Sequence, residues 1–292
     1  MKVLIYGASG WIGGKMLTLL GGVNELETVI GKARLEDYAS VRKEIDEVFP
    51  SHVLLAAGLT GRPNVDWCES HWDEVLRTNV IASSVLADYC YQREIHLTYF
   101  GTGCIYEYDS EHPMGGEIGF KEEDEPNFDN SFYSKSKILT EKILKNYDNV
   151  LILRIRMPLS DDLHPRNFIT KITKYEKVVD VPNSMTILTE MLPIACDMLH
   201  KSKTGIYNFT NPGVISHNQI LDLYTSLIDP DFKYQNFGLE EQSKILKAGR
   251  SNNELNVSKL MEEYPMDNIQ TAIIKLFERM QKIECPTGQV NS

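Results

Sequence analysis

Short apolar runs alternate with amphipathic stretches along this chain, and most of the apolar runs give way to small or polar residues. KVLIY (Lys2 to Tyr6) has the length and β-rich character of a buried parallel strand. GASGWIGG follows at once, and then the helical pattern KMLTLL. ETVIG reads as a second strand, Glu36 to Phe49 as an amphipathic helix, and HVLLAAG (His52 to Gly58) as a third strand. Asp73 to Cys90 has a helical pattern, LTYFGTGCIY is the next strand, and SFYSKSK opens another helix. NVLILRIRMP (Asn149 to Pro158) is a further core strand; because it alternates arginines with aliphatics, one face is expected outside the core. The order predicts an α/β protein, a Rossmann-type doubly wound parallel sheet with a smaller C-terminal substrate-binding lobe.

After Pro158 the texture changes. HPRNFITKITKYEK is polar and positive, and VVDVPNSMTI is extended. A helix (Leu188 to His200) and a strand (GIYNFT, Gly205 to Thr210) are expected to return to the first domain. VISHNQILDLYTSL and TAIIKLFERMQK are helical. The expected division is a dinucleotide domain over 1–158, rejoined by 186–212, and a second lobe from 159–185 and 213–292. With no internal repeat and no low-complexity linker, the lobes should share an interface, and a substrate should sit between them.

Composition narrows the function. The 292 residues carry a formal charge of −11, which argues against nucleic acid or an anionic membrane as the main partner. Cys68, Cys90, Cys104, Cys196 and Cys285 are odd in number and scattered, so reduced thiols in a cytoplasmic protein are expected rather than disulfides or a zinc site. No metal is expected. No apolar run reaches membrane-spanning length, and a strand beginning at the N-terminus leaves no room for a signal peptide.

The glycines point to a nucleotide. Gly7, Gly10 and Gly13, with Ser9, Trp11 and Ile12 among them, form a strand–glycine–helix turn where backbone N–H groups can meet a pyrophosphate. A tight turn without ligand is the alternative. Beyond the second strand stand Lys32 and Arg34 instead of an acidic residue for the ribose hydroxyls. Such cations suit a 2′-phosphate, favouring NADP(H) with NAD(H) left open; a solvated basic pair is the alternative. Leu35 could pack on the adenine, and Ala56, Ala57 and Gly58 leave space for a cofactor against the backbone. Asn64 and Asp66, in the loop after the third strand, are sugar-contact or cap residues. Asn79 either orients the cofactor side of the site or is a buried, satisfied amide.

The stretch Phe100 to Lys137 carries the chemistry. Thr102 can hydrogen-bond a substrate carbonyl and Tyr133 can pass it a proton. Lys137, one turn after Tyr133, shares its helix face and can lower its pKa. Cys104, two residues past Thr102, points the same way on a strand.

Gly7/Gly10/Gly13, Thr102 and Tyr133/Lys137 together resemble the extended short-chain dehydrogenase/reductase family, which binds NAD(P) and often a nucleotide-sugar. TGRPNVDWCES, GTGCIYEYD, RNFITKITKYEKVVD and RSNNELN extend the likeness to about residue 260, toward the UDP-4-keto-6-deoxy-glucose 3,5-epimerase/4-reductases of UDP-L-rhamnose synthesis. The dTDP-4-keto-rhamnose reductases and GDP-fucose synthases are more distant look-alikes, and the latter have a cysteine serving epimerisation at the position of Cys104. The resemblance implies a UDP-sugar substrate, a homodimer, and a separate 4,6-dehydratase to supply the keto-sugar. It implies Lys171 as the acid/base partner opposite Cys104, its amine depressed by burial or by Arg166. Arg250 would pair with the diphosphate, and Asn167, Ser184, Met185 and Thr186 would line the sugar–uridine pocket. A plain ketosugar reductase, with Cys104 as packing, and a non-catalytic NADP-binding subunit remain alternatives.

Overall fold

A computed structural model describes residues 1–284; Cys285 lies outside them. β1 (Lys2–Tyr6) leads through the glycine turn into α1 (Trp11–Gly21), then β2 (Glu27–Ile30), α2 (Tyr38–Val48) and β3 (His52–Leu55). α3 (Trp72–Val75) continues through a π-helical segment, Leu76–Ala82, into α4 (Ser83–Gln92). β4 (His96–Thr102), α5 (Phe132–Leu144) and β5 (Val150–Ile155) follow. α6 (Phe168–Ile172), β6 (Lys177–Val178), α7 (Leu188–His200), β7 (Gly205–Asn208), α8 (His217–Leu227) and β8 (Gln235–Asn236) come next. α9 (Leu239–Ile245), α10 (Ser258–Met261) and α11 (Ile269–Glu284) complete the described chain.

Six parallel strands form one sheet in the order β2-β1-β3-β4-β5-β7. The expected doubly wound parallel sheet is therefore present. The order reverses between β1 and β3, and the carboxyl ends of strands flanking such a reversal leave a crevice for a ligand. Apolar residues on the two faces feed separate cores. Val3, Ile5, Leu151 and Leu153 pack with Met16 and with Met191 and Leu192 of α7. Leu4, Tyr6, Val53, Leu55 and Ile152 pack with Val41, Ile45 and Leu86 of the opposite helices. Strands buried on both faces read as continuous apolar runs, which explains why β1 and β3 are so plain in the sequence.

A third core gathers Leu159, Ile169, Ile172, Val178, Met185 and Ile187 with α8 and α11. The long loop between β4 and α5 is tied down by a smaller cluster of Ile105, Tyr106, Phe120 and Leu255, where the Tyr106 and Phe120 rings stack at 4.4 Å.

The face of β5 expected outside the core is buried in the structure. Arg154 and Arg156 are both 1% exposed. Each is buried because hydrogen-bond acceptors surround its guanidinium, which offsets the loss of water.

Candidate active site

Gly7 sits at the mouth of the crevice with φ +88°, a left-handed conformation in which an added Cβ would lie 2.5 Å from the backbone N of Ala57. Gly13 is tighter still, since its Cβ would fall 2.1 Å from the Gly7 carbonyl oxygen. Only glycine lets β1, β3 and α1 approach this closely, and the first turn of α1 keeps its free N–H groups facing the opening. No side chain caps α1, whose N-cap is Gly10. The turn fits a dinucleotide pyrophosphate by this cradle and by the helix dipole. Ser9 and Gly10 are exposed, Ala56, Ala57 and Ile12 are partly buried, and Gly58 is exposed beyond β3.

Other residues expected at the cofactor are placed differently. The Trp11 ring stacks on His164 at 5.1 Å, and its Nε1 donates to Asp162 at 3.0 Å. Lys15 also meets Asp162, at 2.6 Å, so three side-chain contacts join α1 to the segment after β5. Leu35 is 6% exposed and packs in the core beside β1 and β3, not on an open adenine face. Arg34 is exposed and lies 3.5 Å from Glu36, an acidic residue that tempers the cationic character read for this corner. Lys32 contributes its backbone N–H to Glu44 at 2.7 Å.

Asn79 is 3% exposed in the π-helical segment. Its amide clasps the Leu59 backbone, accepting from the N–H at 2.8 Å and donating to the carbonyl at 2.9 Å. The satisfied-amide alternative describes it, and that clasp sets the course of the loop after β3. Asn64 caps the 3₁₀ turn Val65–Ser70 by accepting from Asp66 N–H at 2.8 Å.

Thr102 ends β4 and is 5% exposed. Ser131 caps α5 by accepting from Ser134 N–H at 3.1 Å, and so places Tyr133 in the first turn, over the end of β4. The Ser134 hydroxyl donates to the Cys104 carbonyl at 2.6 Å, locking the loop to the helix. Cys104 N–H in turn donates to Thr102 Oγ1 at 3.1 Å. Burial pushes the Tyr133 hydroxyl well above the ordinary tyrosine range and Cys104 adds to this, while a hydrogen bond from Thr102 opposes it. Thr102, Cys104 and Tyr133 therefore converge.

Lys137 does something different from the role read for it. Its ammonium donates to the Tyr99 hydroxyl, and to the Phe100 carbonyl at 3.2 Å. Burial lowers its pKa to about 7, with Glu141 acting the other way. The cation that lowers the Tyr133 pKa is Arg166. Arg166 also reaches Thr60, to which it donates at 3.0 Å. Burial, then Arg166, lowers the pKa of Lys171, which lies in the last turn of α6.

The expected uridine–sugar pocket residues are not free to line one. Asn167, Ser184, Met185 and Thr186 are all 0% exposed. Asn167 caps α6 and donates to Ser160 O at 2.7 Å; Thr186 donates to Phe209 O at 2.8 Å. Ser184 accepts from Leu255 N–H at 2.9 Å, and Met185 belongs to the third core. Their polar atoms are used up inside the chain, which is why they are buried. Arg250 stays partly open, but pairs with Asp66 at 2.9 Å, so both expected contacts already hold each other.

Tyr99, Arg166 as the cation at Tyr133, and the Trp11–His164–Asp162 group were not visible in the sequence. Tyr99 lies inside an apolar strand and looked like core; the other groups join residues far apart along the chain.

Comparison with known proteins adds the following. The RmlD substrate binding domain family matches residues 1–219. A bifunctional dTDP-4-dehydrorhamnose 3,5-epimerase/dTDP-4-dehydrorhamnose reductase of Arabidopsis thaliana is 57% identical over 287 residues, covering 96% of this chain and 94% of that protein. A trifunctional UDP-glucose 4,6-dehydratase/UDP-4-keto-6-deoxy-D-glucose 3,5-epimerase/UDP-4-keto-L-rhamnose-reductase of the same plant is 56% identical over 280 residues, 94% of this chain but 42% of that protein. The crystal structure of the L780 UDP-rhamnose synthase of Acanthamoeba polyphaga mimivirus has a TM-score of 0.91 at 41% identity, covering 96% of this chain and 99% of that one.

Proposed function

Since the chain belongs to the RmlD substrate binding domain family, we propose that it reduces the C4 ketone of a UDP-linked 4-keto-6-deoxyhexose, after inverting C3 and C5. The observation that carries this reading is the convergence of Thr102, Cys104 and Tyr133 at the carboxyl end of β4, beside the glycine cradle. NADP(H), when bound, supplies the hydride for C4, and the cradle of Gly7, Gly10 and Gly13 would hold its pyrophosphate.

 Every other step falls to this chain's own side chains. Thr102 and Tyr133 donate to the C4 oxygen, and a carbonyl polarised in this way acidifies the C–H bonds at C3 and C5. Cys104, as a thiolate, removes a proton from one face and becomes the thiol, while Lys171, as an ammonium made more acidic by burial and Arg166, returns one on the other and becomes the amine. Reduction ends when Tyr133 gives its proton to the C4 oxygen. Arg250 would exchange Asp66 for the substrate's diphosphate, a bidentate partner of higher charge.

The relatives' activities support this reading, in which a separate 4,6-dehydratase would supply the keto-sugar. A homodimer through the helices of the nucleotide domain is supported by Ile81, Leu139 and Ile143, which are exposed on that side of the molecule; sedimentation showing a monomer at micromolar concentration would remove it. The test of function is NMR of the protein given UDP-4-keto-6-deoxy-glucose and NADPH, beside Cys104→Ser. UDP-rhamnose from the wild type, with an unepimerised C4-reduced sugar or nothing from the variant, is the expected result. If both give only the unepimerised sugar, the protein is a simple reductase and Cys104 is packing. Parallel titration with NADPH and NADH reads the cofactor preference.

A further inference from the structure

Two buried arginines stand two positions apart at the end of β5, and they are treated differently. Arg154 is paired with a carboxylate, donating to Glu141 at 3.0 and 2.7 Å. Arg156 has no carboxylate partner among the described residues. The five hydrogen bonds of its guanidinium all go to neutral acceptors: Ser184 O at 3.3 Å, Gly103 O at 3.0 Å, Ser251 Oγ at 2.9 Å, Ser251 O at 3.0 Å and Asn183 Oδ1 at 2.5 Å. An uncompensated buried charge is costly, and the place where it is tolerated is therefore informative.

That place is directly behind the site. Gly103 lies between Thr102 and Cys104, and has no room for a side chain because a Cβ would meet Arg156 Cγ at 2.9 Å. The Gly103 carbonyl accepts from Arg156 and also from Asn253 Nδ2, each at 3.0 Å. The N–H of the same peptide group, that of Cys104, donates to Thr102 Oγ1 at 3.1 Å. A cation on the carbonyl of a peptide makes its N–H a stronger donor, and a hydroxyl that accepts a stronger bond becomes a better donor itself.

We propose that Arg156 is a positioning residue for the reaction: through the Gly103–Cys104 peptide its uncompensated charge strengthens Thr102 as a donor to the oxygen that becomes negative, and it holds Cys104 in place. The proposal rests on the ketosugar reading above. A fixed cation aimed at developing negative charge, in a site shielded from water, acts on the transition state more than on the ground state. Burial lowers the Arg156 pKa, and Cys104 is one of the groups that oppose this and favour the charged guanidinium.

Asn183→Asp tests it without removing the arginine. The new carboxylate would sit where Asn183 Oδ1 accepts from Arg156 and neutralise the charge in place. The hydrogen bonds from Asn183 Nδ2 to Asn252 Oδ1 at 2.9 Å and to the Val181 carbonyl at 3.3 Å would be lost, and the Asn252 amide can turn over to donate. Asn183→Asp is expected to fold and to bind NADPH as the wild type does. Its kcat for C4 reduction should fall on the order of tenfold to a hundredfold with KM little changed, and deuterium exchange at C3 and C5 should slow with it. Arg156→Lys should retain more of kcat than Arg156→Met, because it keeps the charge. Asn183→Asp with wild-type kcat would overturn the proposal even if Arg156→Met fails to fold, as would an Arg156→Met enzyme as fast as Arg156→Lys. A wild type inert toward the keto-sugar overturns the ketosugar reading and this proposal with it, whereas an active wild type with an unaffected Asn183→Asp overturns the proposal alone.

Discussion

That Thr102 and Cys104 face the same way, and that Tyr133 and Lys137 share a helix face, can be read at the residue scale because strand and helix periods fix which way neighbouring side chains point. Their partners were not legible. Tyr99 was hidden in an apolar run, yet its hydroxyl accepts from the Lys137 ammonium. Burial already lowers the Lys137 pKa to about 7, so this acceptor is one of the groups that keeps the amine charged. Tyr99→Phe removes a hydroxyl that stabilises the ammonium and should lower the Lys137 pKa further. If charged Lys137 serves the reaction, kcat falls as pH rises through the lysine's pKa, and Tyr99→Phe moves that fall to lower pH. A pH–rate profile of the variant that overlays the wild type would show that the pair is only packing. The buried residues 184–186 illustrate the opposite error. The polar side chains of Ser184 and Thr186 resembled pocket lining, but a polar residue finds partners inside a protein as readily as at a ligand.

The elements themselves were mostly plain, because β1, β3, β4 and β5 are buried runs and α1, α2 and α5 carry apolar stripes. The π-helical segment was not, since one extra residue in a turn hardly disturbs an apolar period. Helix α5 shows how elements are fastened to one another. Its Glu141 is 6% exposed and holds Arg154 of β5 with two bonds, at 2.7 and 3.0 Å. The arginine face was expected outside the core because the sequence does not display a carboxylate that arrives from another element. Glu141→Gln leaves a buried guanidinium without its counter-charge, and should cost about 3 kcal/mol. Urea unfolding reads this directly, and a loss below about 1 kcal/mol, the scale of an exposed pair, would show that the ion pair adds nothing.

Across the whole molecule, the proposed catalytic groups Thr102, Cys104 and Tyr133 collect at the carboxyl end of β4, while the opposite end of the sheet holds a different kind of buried polar group. His52 opens β3 and His96 opens β4, each 7% exposed, with ring centroids 5.0 Å apart. His52 bonds to Ser51 and to Ser202, each at 2.9 Å, and His96 to the Lys203 carbonyl at 2.7 Å, so the pair fastens the end of α7 to the sheet. Neither the pairing nor the burial could be read from the chain, where the two histidines are 44 positions apart (96 − 52). Burial, then the neighbouring His96, lowers the His52 pKa from 6.5 to about 4, and burial lowers that of His96 as well. In the unfolded chain His52 binds its proton near pH 6.5, while the folded protein refuses it until near pH 4. The unfolded state therefore holds more protons throughout that window, and stability must fall as the pH is lowered through it. For His52 alone the loss between pH 7.5 and pH 5 is about 2 kcal/mol. Urea midpoints at the two pH values measure it, with His52→Gln as the control that should flatten the dependence. A wild-type midpoint that does not move, or a variant that falls as steeply as the wild type, would mean that the histidines take up protons in the folded state and that the sheet's far end is open to water.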